Sequence, residues 1–260
     1  MIKKKQVGEK LSQSITVTGI VLSATPIGEY DKRVVILTKE RGKISAFAKG
    51  ARKQNSSLIG GINPFSFGEF TLYEGRNSYT IQQITISNYF MELRENIEAA
   101  YYGFYFMDIA NYYTKEDNDE VSMLKLLYQT LRALTKGTID NQLIRYIYEL
   151  KAISLNGEAP QVFECVNCGD TKREVMFSPH KGGIVCTKCQ TDVIDGISLD
   201  NSTLYTLQYI VSSPIEKLYN FVVTPKVLEQ IQCIMKRYME LHVDKQFKSL
   251  EILQTITVTT

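Results

Sequence analysis

The segment Lys39-Glu-Arg-Gly-Lys-Ile-Ser-Ala-Phe-Ala-Lys-Gly-Ala-Arg-Lys53 decides how the first third of the chain is interpreted, because it holds six cations and one acid in fifteen residues. Alternation in its middle predicts a turn followed by a strand. One face of that strand would carry Lys43, Ser45, Phe47 and Lys49, and the other face Ile44, Ala46 and Ala48. An aromatic ring between cations is typical of surfaces that bind single-stranded nucleic acid without reading its sequence. A lysine-protected edge strand with Phe47 in the core fits the local pattern equally well.

Five β-like segments, this one included, are rich in β-branched and aromatic residues and are separated by Gly, Pro, Asn or Asp. They are predicted at residues 15–24, 33–38, 43–49, 65–73 and 78–86. Five short strands predict a partly open barrel of the OB-fold type, whose second and third strands form the binding face. Arg33 and Lys39 on the second strand would then extend the cationic surface. A β-sandwich would need about seven strands, and the segment is too short for them.

Charge is distributed unevenly along the chain. Residues 1–90 contain 13 lysines and arginines against six acids, whereas the remaining residues contain 17 against 22. A partner with a phosphate backbone would therefore meet the N-terminal third. Residues 1–14 are polar and show no period, so we interpret them as an extension before a barrel domain at residues 15–88.

From about residue 89 to residue 260 the apolar period becomes helical and predicts an α-helical domain. The first helix would bury one stripe, formed by Phe90, Leu93, Ile97, Tyr101 and Phe104. Its many other aromatic residues favour a helix central to a bundle over a pocket for a partner peptide. Further helices are predicted near residues 121–134, from Asp140 or Asn141 to 156, and at 201–212, 225–241 and 245–253, followed by a tail from residue 255. The acidic run at 116–120 is interpreted as a solvated connection.

Four of the five cysteines form two CxxC pairs, and these give the most specific chemical signal in the chain. Cys165 and Cys168 are followed, after seventeen residues, by Cys186 and Cys189. Two such pairs bring four thiolates into the tetrahedron that zinc accepts, with no position left open for catalysis. We therefore predict one structural zinc ion in a module at about residues 163–192. The alternative is a pair of redox-active CxxC motifs.

Several classes of protein are disfavoured by what the sequence lacks. No apolar run approaches the roughly 20 residues that span a bilayer, and the N-terminus does not resemble a signal peptide, so we expect a cytoplasmic protein without a membrane partner. The two histidines have no recognisable nucleophilic partner, and motifs for nucleotide binding, hydride transfer or metalloprotease chemistry are absent. The sequence therefore predicts a non-enzymatic protein.

Short motifs in a consistent order make the chain resemble the RecO family of bacterial recombination mediators. In the N-terminal part they are Gly19-Ile-Val-Leu22, Gly28-Glu-Tyr-Asp-Lys32, Leu37-Thr-Lys-Glu-Arg-Gly-Lys-Ile-Ser45, Ala48-Lys-Gly-Ala-Arg-Lys53 and Pro64-Phe-Ser-Phe-Gly-Glu-Phe70. In the C-terminal part they are Arg145-Tyr-Ile-Tyr-Glu-Leu150, Gly157-Glu-Ala-Pro160, the two CxxC pairs, Phe177-Ser-Pro179 with Gly182-Gly183, and Lys248-Ser-Leu250. The resemblance covers residues 15–190 well and the last seventy residues only loosely.

The resemblance implies an α+β protein: an N-terminal five-stranded OB-fold barrel followed by an α-helical domain that carries a four-cysteine zinc module. It also implies a function in DNA repair and recombination. Such a protein binds single- and double-stranded DNA, anneals strands coated with single-strand-binding protein and, with RecR, helps to load RecA recombinase. The implied partners are DNA, RecR and the acidic tail of single-strand-binding protein, with RecF and RecA acting indirectly in a nucleoid-associated cytoplasmic setting.

Two sets of binding residues are expected on this basis. The cations that would neutralise DNA phosphates, and the ring that would stack on bases, are Arg33, Lys39, Arg41, Lys43, Phe47, Lys49, Arg52 and Lys53. A pocket for the acidic tail would be formed by Tyr105, Arg132, Lys136, Arg145 and Lys151. One competing hypothesis is a protein–protein adaptor whose zinc module and aromatic helix hold partners, while its basic barrel face docks an acidic protein. Another is a thiol-redox enzyme.

Overall fold

The structure is a computed structural model and describes residues 13–76, 78–171 and 175–258. These residues form two compact units. The first comprises the chain up to Tyr89 together with Thr114–Leu124, and the second comprises Phe90–Tyr113 and the chain from Lys125 onward. The strands of the first unit are β1 (Gln13–Ile27), β2 (Asp31–Thr38), β3 (Gly42–Ala48), β4 (Phe67–Glu74) and β5 (Tyr79–Asn88).

The five strands close into a barrel in the order β1-β2-β3-β5-β4, which confirms the predicted barrel with its OB-like topology. Long antiparallel ladders join β1 to β2 and β4, whereas β3 meets β5 in a short parallel pairing at Ala46 and Phe47. Alternate residues of each strand fill the interior because side chains of a strand point to opposite faces. On β3 the buried residues are Gly42, Ile44, Ala46 and Ala48, and the last three are those that the alternation predicts. Residues 13 and 14 of the expected extension belong to β1, and residues 1–12 lie outside the described part of the chain.

The acidic run between the helices docks on the barrel through its backbone, although its side chains are exposed. The Lys43 amide donates to the Lys115 carbonyl at 2.9 Å, and the Asp117 amide donates to the Arg41 carbonyl at 3.1 Å. These two bonds form an antiparallel bridge between Gly42 and Glu116. We call residues 115–120 the acidic segment. Interpreting it as a solvated connection was therefore incomplete, because a contact between residues so distant in sequence leaves no local pattern.

Gly42 is required by this close approach. Its φ angle is +62°, and a Cβ atom there would lie 2.3 Å from the Lys115 carbonyl oxygen, whereas Gly28 has φ of +57° with open space around it. Alanine in the left-handed region costs about 1–2 kcal/mol, and this is the full effect expected for Gly28→Ala. We expect Gly42→Ala to lower the free energy of unfolding by at least about 1 kcal/mol more, because the bridge must open. Urea unfolding of both variants checks this, and equal losses would contradict the close packing.

The second unit is helical and contains a small sheet between its fourth and fifth helices. Its helices are α1 (Met91–Glu95), α2 (Ile97–Tyr113), α3 (Val121–Lys136), α4 (Asn141–Leu155), α5 (Asn201–Ser212), α6 (Pro225–His242) and α7 (Lys248–Val258), the first turn of α3 being shared with the first unit. The sheet consists of β6 (Val175–Ser178), β7 (Gly183–Cys186) and β8 (Ile197–Ser198), in the order β7-β6-β8. Among the described residues, no helix combines the length and the apolar composition that crossing a bilayer requires.

Helix ends follow the predicted capping chemistry, because side-chain oxygens satisfy the free amides of a first turn. Asp140 accepts hydrogen bonds from the amides of Gln142 and Leu143 at the start of α4. Thr224 accepts from the Val227 amide ahead of α6, whose first residue is Pro225. The last helix continues to Val258, so the expected tail from residue 255 is helical as far as the structure describes it.

The stripe predicted for the first helix is wrong. The helix is divided at Asn96, whose side chain accepts a hydrogen bond from the Ala99 amide and starts α2 anew. Ile97 is 68% exposed and Phe104 is also exposed, whereas the buried residues of α2 are Ala99, Tyr102, Gly103, Tyr105, Phe106, Met107, Ile109 and Ala110. The aromatic residues of this helix occur on every side of it, so the apolar period does not identify the buried face. The expectation that the helix is buried on several sides is correct.

Candidate nucleic-acid interface and metal centre

The outer face of β2 and β3 carries the residues predicted to meet DNA. Strand register places Arg33 opposite Phe47 and Leu37 opposite Lys43. Lys43, Ser45 and Phe47 are half-buried and alternate with the core residues of β3. Phe47 therefore lies on the outer face together with cations, and the interpretation that placed its ring in the core is wrong.

Arg33 is held beside the Phe47 ring. Its Nε atom donates a 2.7 Å hydrogen bond to the Ser45 Oγ atom, while the residue remains exposed. Because Nε is engaged on the strand and the residue is exposed, the terminal nitrogens of the guanidinium group can donate to a phosphate. The side chain is thus oriented before any ligand arrives.

The turn after β3 is tied to the turn between β1 and β2. The Gly50 amide donates to Asp31 Oδ1 at 2.7 Å, and the Arg52 amide donates to the Tyr30 carbonyl at 2.9 Å. Lys53 Nζ lies 5.4 Å from the centre of the Tyr30 ring, which is 48% exposed. These contacts bring six residues to one end of the face, which we call the Arg33 end: Tyr30, Arg33, Phe47, Lys49, Arg52 and Lys53. Sequence reasoning missed Tyr30, although an aromatic residue beside a glycine turn is a usable signal.

The other three predicted cations lie at the opposite end of the two strands. We call Lys39, Arg41 and Lys43 the Lys43 end. It is separated from the Arg33 end by four strand residues, or about 13 Å at 3.3 Å per residue. Arg41 lies 3.6 Å from a Glu74 carboxylate oxygen and 3.9 Å from one of Asp117. Leu37, which lies opposite Lys43 at this end, is fully buried. The predicted residues therefore form two cationic clusters.

The four CxxC cysteines form the candidate metal centre. Their Sγ atoms all lie within 4.8 Å of one another, and those of Cys168 and Cys186 are 3.6 Å apart. A tetrahedral zinc ion with Zn–S bonds of about 2.3 Å places its sulfurs about 3.8 Å apart, so the cluster fits the ion. Cys186 ends β7, and a tight turn after the first pair returns the Gly169 amide to the Cys165 carbonyl.

The electrostatics of the cluster also favour a cation. Burial opposes ionisation of Cys165, but amides directed at its sulfur, including those of Cys186 and Cys168, lower the pKa of this thiol to about 6. A hydrogen bond to the Cys168 sulfur raises the pKa of Cys189, because this bond keeps the proton on the Cys189 thiol. Four thiolates therefore coexist at neutral pH when a divalent cation lies between them.

Two of the residues predicted to bind a partner peptide meet in the second unit. Tyr105 Oη and Arg145 Nε both donate to Glu149 Oε1, at 2.6 Å and 2.7 Å. Burial raises the pKa of Tyr105 and the Glu149 carboxylate raises it further, so the phenol remains a donor. Tyr105 and Arg145 line a cavity of about 580 Å³. Its other lining residues include Lys236, Lys245 and Phe247, which sequence reasoning missed because they come from elements a hundred residues away.

The remaining three predicted peptide residues lie elsewhere. Lys151 is buried, and its Nζ atom donates to the carbonyls of Ile210, Val211 and Ser213 at 3.2, 2.8 and 2.8 Å. This lysine therefore satisfies the carbonyls at the end of α5, and burial lowers its pKa. Arg132 and Lys136 are exposed on α3 and are not part of the cavity lining.

Known sequences match the chain along most of its length. Residues 12–90 match the family described as Recombination protein O N terminal, and residues 94–251 match the family described as Recombination protein O C terminal. The protein named DNA repair protein RecO from Alkaliphilus metalliredigens is 33% identical over 93% of this chain and 99% of its own length. Proteins of the same name from Acetivibrio thermocellus and Bacillus pumilus are 32% and 29% identical, over 92% and 90% of this chain and 96% and 91% of their own lengths.

Proposed function

Because the chain belongs to the RecO family of DNA repair proteins, we propose that it is a non-enzymatic recombination mediator. In this proposal it binds single- and double-stranded DNA and anneals strands that are coated with single-strand-binding protein. Together with RecR it helps to load RecA, and RecF takes part indirectly. It acts in the cytoplasm, in association with the nucleoid.

The observation that supports this proposal most directly is the composition of the Arg33 end. Phe47 offers an outward ring beside an Arg33 guanidinium group that Ser45 orients. Tyr30 offers a second exposed ring with Lys53 beside it. Rings that accept unstacked bases, with cations at the distance of the phosphates, bind single strands with little preference for sequence.

Annealing follows from neutralising two negatively charged backbones on one surface. Each strand that binds the Arg33 end loses part of its repulsion for the other, so annealing requires no nucleotide hydrolysis. Binding should weaken with salt by about 0.9 log units per log of salt for each duplex phosphate, and by about 0.7 for each single-strand phosphate. No group that reads base edges is needed, since the bases themselves select the complementary strand.

The second unit would supply the contacts with proteins. The cavity beside Tyr105 has an apolar side, which includes Phe247, and a charged lining of three cations and three acids: Arg145, Lys236, Lys245, Glu240, Asp244 and Glu251. In this proposal the apolar side buries the terminal ring of the acidic, phenylalanine-ended tail of single-strand-binding protein, while the tail carboxylates pair with the cations of the lining. The cysteine module would hold one structural zinc ion through Cys165, Cys168, Cys186 and Cys189.

Annealing of coated strands tests the proposal. Two complementary oligonucleotides are each coated with single-strand-binding protein and mixed with or without this protein, in the absence of ATP. We expect the protein to accelerate annealing, and a coat protein without its acidic tail to remove most of the acceleration. Unchanged annealing despite binding of the tail would reject the mediator function and favour the adaptor hypothesis.

Replacing Phe47 by alanine should weaken binding of single-stranded DNA at fixed salt. Stacking on one aromatic side chain contributes about 1–3 kcal/mol per base, so we expect about a 5- to 150-fold rise in the dissociation constant. Fluorescence anisotropy of a labelled oligonucleotide measures it. Tyr205→Ala is the matched control, because Tyr205 is a 67% exposed aromatic residue of the second unit. Equal effects of both substitutions would contradict a stacking role for Phe47.

A further inference from the structure

The Lys43 end of the barrel is accompanied by a surplus of carboxylates. The acidic segment contains four acids and one lysine, and the acids are Glu116, Asp117, Asp119 and Glu120. It lies against the start of β3, in the part of the barrel surface that carries Lys39, Arg41 and Lys43. The Arg33 end has no such segment among the described residues.

The backbone holds the acidic segment in place. β3 is paired with β2 along its length, but on its other side it meets β5 only at Ala46 and Phe47. The acidic segment occupies this second side at Gly42, through the two backbone hydrogen bonds of the bridge. Asp117 has a φ angle of +58°, which turns the chain directly after the bridge. The backbone that carries the carboxylates is therefore held beside β3.

Asp119 and Glu120 have local structural roles, because their carboxylates accept hydrogen bonds from the amides of Val121 at 3.2 Å and Lys115 at 3.1 Å. Stability does not explain the other two carboxylates, those of Glu116 and Asp117. The ion pairs of Arg41 with Glu74 and Asp117 join partly exposed groups at 3.6 Å and 3.9 Å, and such pairs contribute about 0–1 kcal/mol each. Their electric field reaches further, because charges at a protein surface act over a Debye length of about 8–10 Å at moderate salt. That distance covers the Lys43 end and falls short of the Arg33 end, about 13 Å away by the strand rise.

We propose that the acidic segment repels nucleic-acid phosphates from the Lys43 end and so confines a bound strand to the Arg33 end. This inference rests on the proposed DNA-binding function. Confinement limits the number of phosphates that the barrel neutralises, so binding remains readily reversible. An annealing protein benefits from that limit, because the duplex product carries twice the phosphates of a single strand and has to be released.

Neutralising two acids tests the inference without opening the bridge. Glu116→Gln keeps the side-chain length, and Asp117→Asn suits the left-handed backbone as aspartate does. The control variant, Glu92→Gln/Glu229→Gln, makes the same charge change at exposed positions of the second unit. Binding of a labelled single-stranded oligonucleotide is measured by anisotropy over a range of salt, with each variant alone and with Lys39→Ala added.

We expect the E116Q/D117N variant to bind at least about 3-fold more tightly than the control variant at low salt, with a log–log salt slope steeper by about 0.7 per additional phosphate. Lys39→Ala should lower the affinity for DNA less than 2-fold in the native protein and at least about 3-fold in the E116Q/D117N variant. Independent, additive effects of the substitutions would not produce this difference. DNA binding that is equal in both variants, or a Lys39→Ala effect that is the same in both backgrounds, would overturn the inference and leave the proposed function intact. Failure of every variant to bind DNA would reject the proposed function itself.

Discussion

Replacing Cys186 by serine is expected to abolish stoichiometric zinc binding and to unfold the cysteine module. Cys186 is fully buried at the end of β7, and its amide donates to the Cys165 sulfur, so it is central to the four-sulfur cluster. Zinc-finger peptides gain about 10–16 kcal/mol of apparent folding free energy from their ion, and a serine hydroxyl does not replace a thiolate ligand. Metal analysis should fall from near one zinc per chain to below about one tenth, and hydrogen exchange should accelerate in β6 and β7.

Cys233→Ser is the matched control for this experiment. Cys233 is exposed on α6 and does not belong to the cluster, so its loss should leave zinc content and exchange rates unchanged. In the native protein only Cys233 should react quickly with a thiol reagent. Rapid reaction of all five cysteines, or a Cys186→Ser variant that retains its zinc, would contradict the structural metal site. The first of these results would favour the thiol-redox hypothesis.

Arg145→Met is expected to destabilise the helical unit by about 3–5 kcal/mol, because it leaves a buried carboxylate without its cation. Glu149 is fully buried; its Oε1 atom accepts from Arg145 and Tyr105, and its Oε2 atom has no hydrogen-bond partner among the described residues. Methionine keeps much of the volume of the arginine stem, so the loss reports mainly on charge. Urea unfolding at neutral pH measures the change.

Arg132→Met supplies the control, since Arg132 is an exposed arginine on a neighbouring helix. Its effect should lie within about 0.5 kcal/mol of zero, as for most surface substitutions. The second substitution Glu149→Gln in the Arg145→Met background should restore part of the lost stability, because it removes the buried charge. Equal losses for Arg145→Met and Arg132→Met would show that Glu149 does not depend on its arginine.

Local patterns predicted those parts of the fold whose cause lies within a few residues. β-branched and aromatic composition between turn residues located all five barrel strands, and alternation along β3 placed Phe47 on the same face as Lys43. Cap residues located the starts of α4 and α6. The spacing of the four cysteines indicated the sulfur cluster, since metal-binding knuckles impose a short local geometry.

Features that arise from distant contacts were not predicted. The acidic segment reaches the barrel through Gly42, which is more than seventy residues earlier in the chain. The cavity beside Tyr105 takes its further cations from α6 and the residues that follow it. A lysine is expected at the protein surface. Lys151 is buried because α4 packs against α5, where its ammonium group caps the carbonyls at the end of α5. Periodicity also failed on α2, where aromatic residues occur on every side.

The Lys151 cap has a consequence for how this architecture tolerates change. The Lys151 ammonium group joins α4 to α5 through its hydrogen bonds. The cysteine module is part of the stretch of chain that connects these two helices. Replacing this stretch by a short loop would leave the hydrogen bonds of Lys151 in place, but it would remove the contact between the rings of Phe177 and Tyr238, whose centres are 5.8 Å apart. α4 and α5 would therefore stay joined without the module, whereas α6 would lose a buried aromatic neighbour.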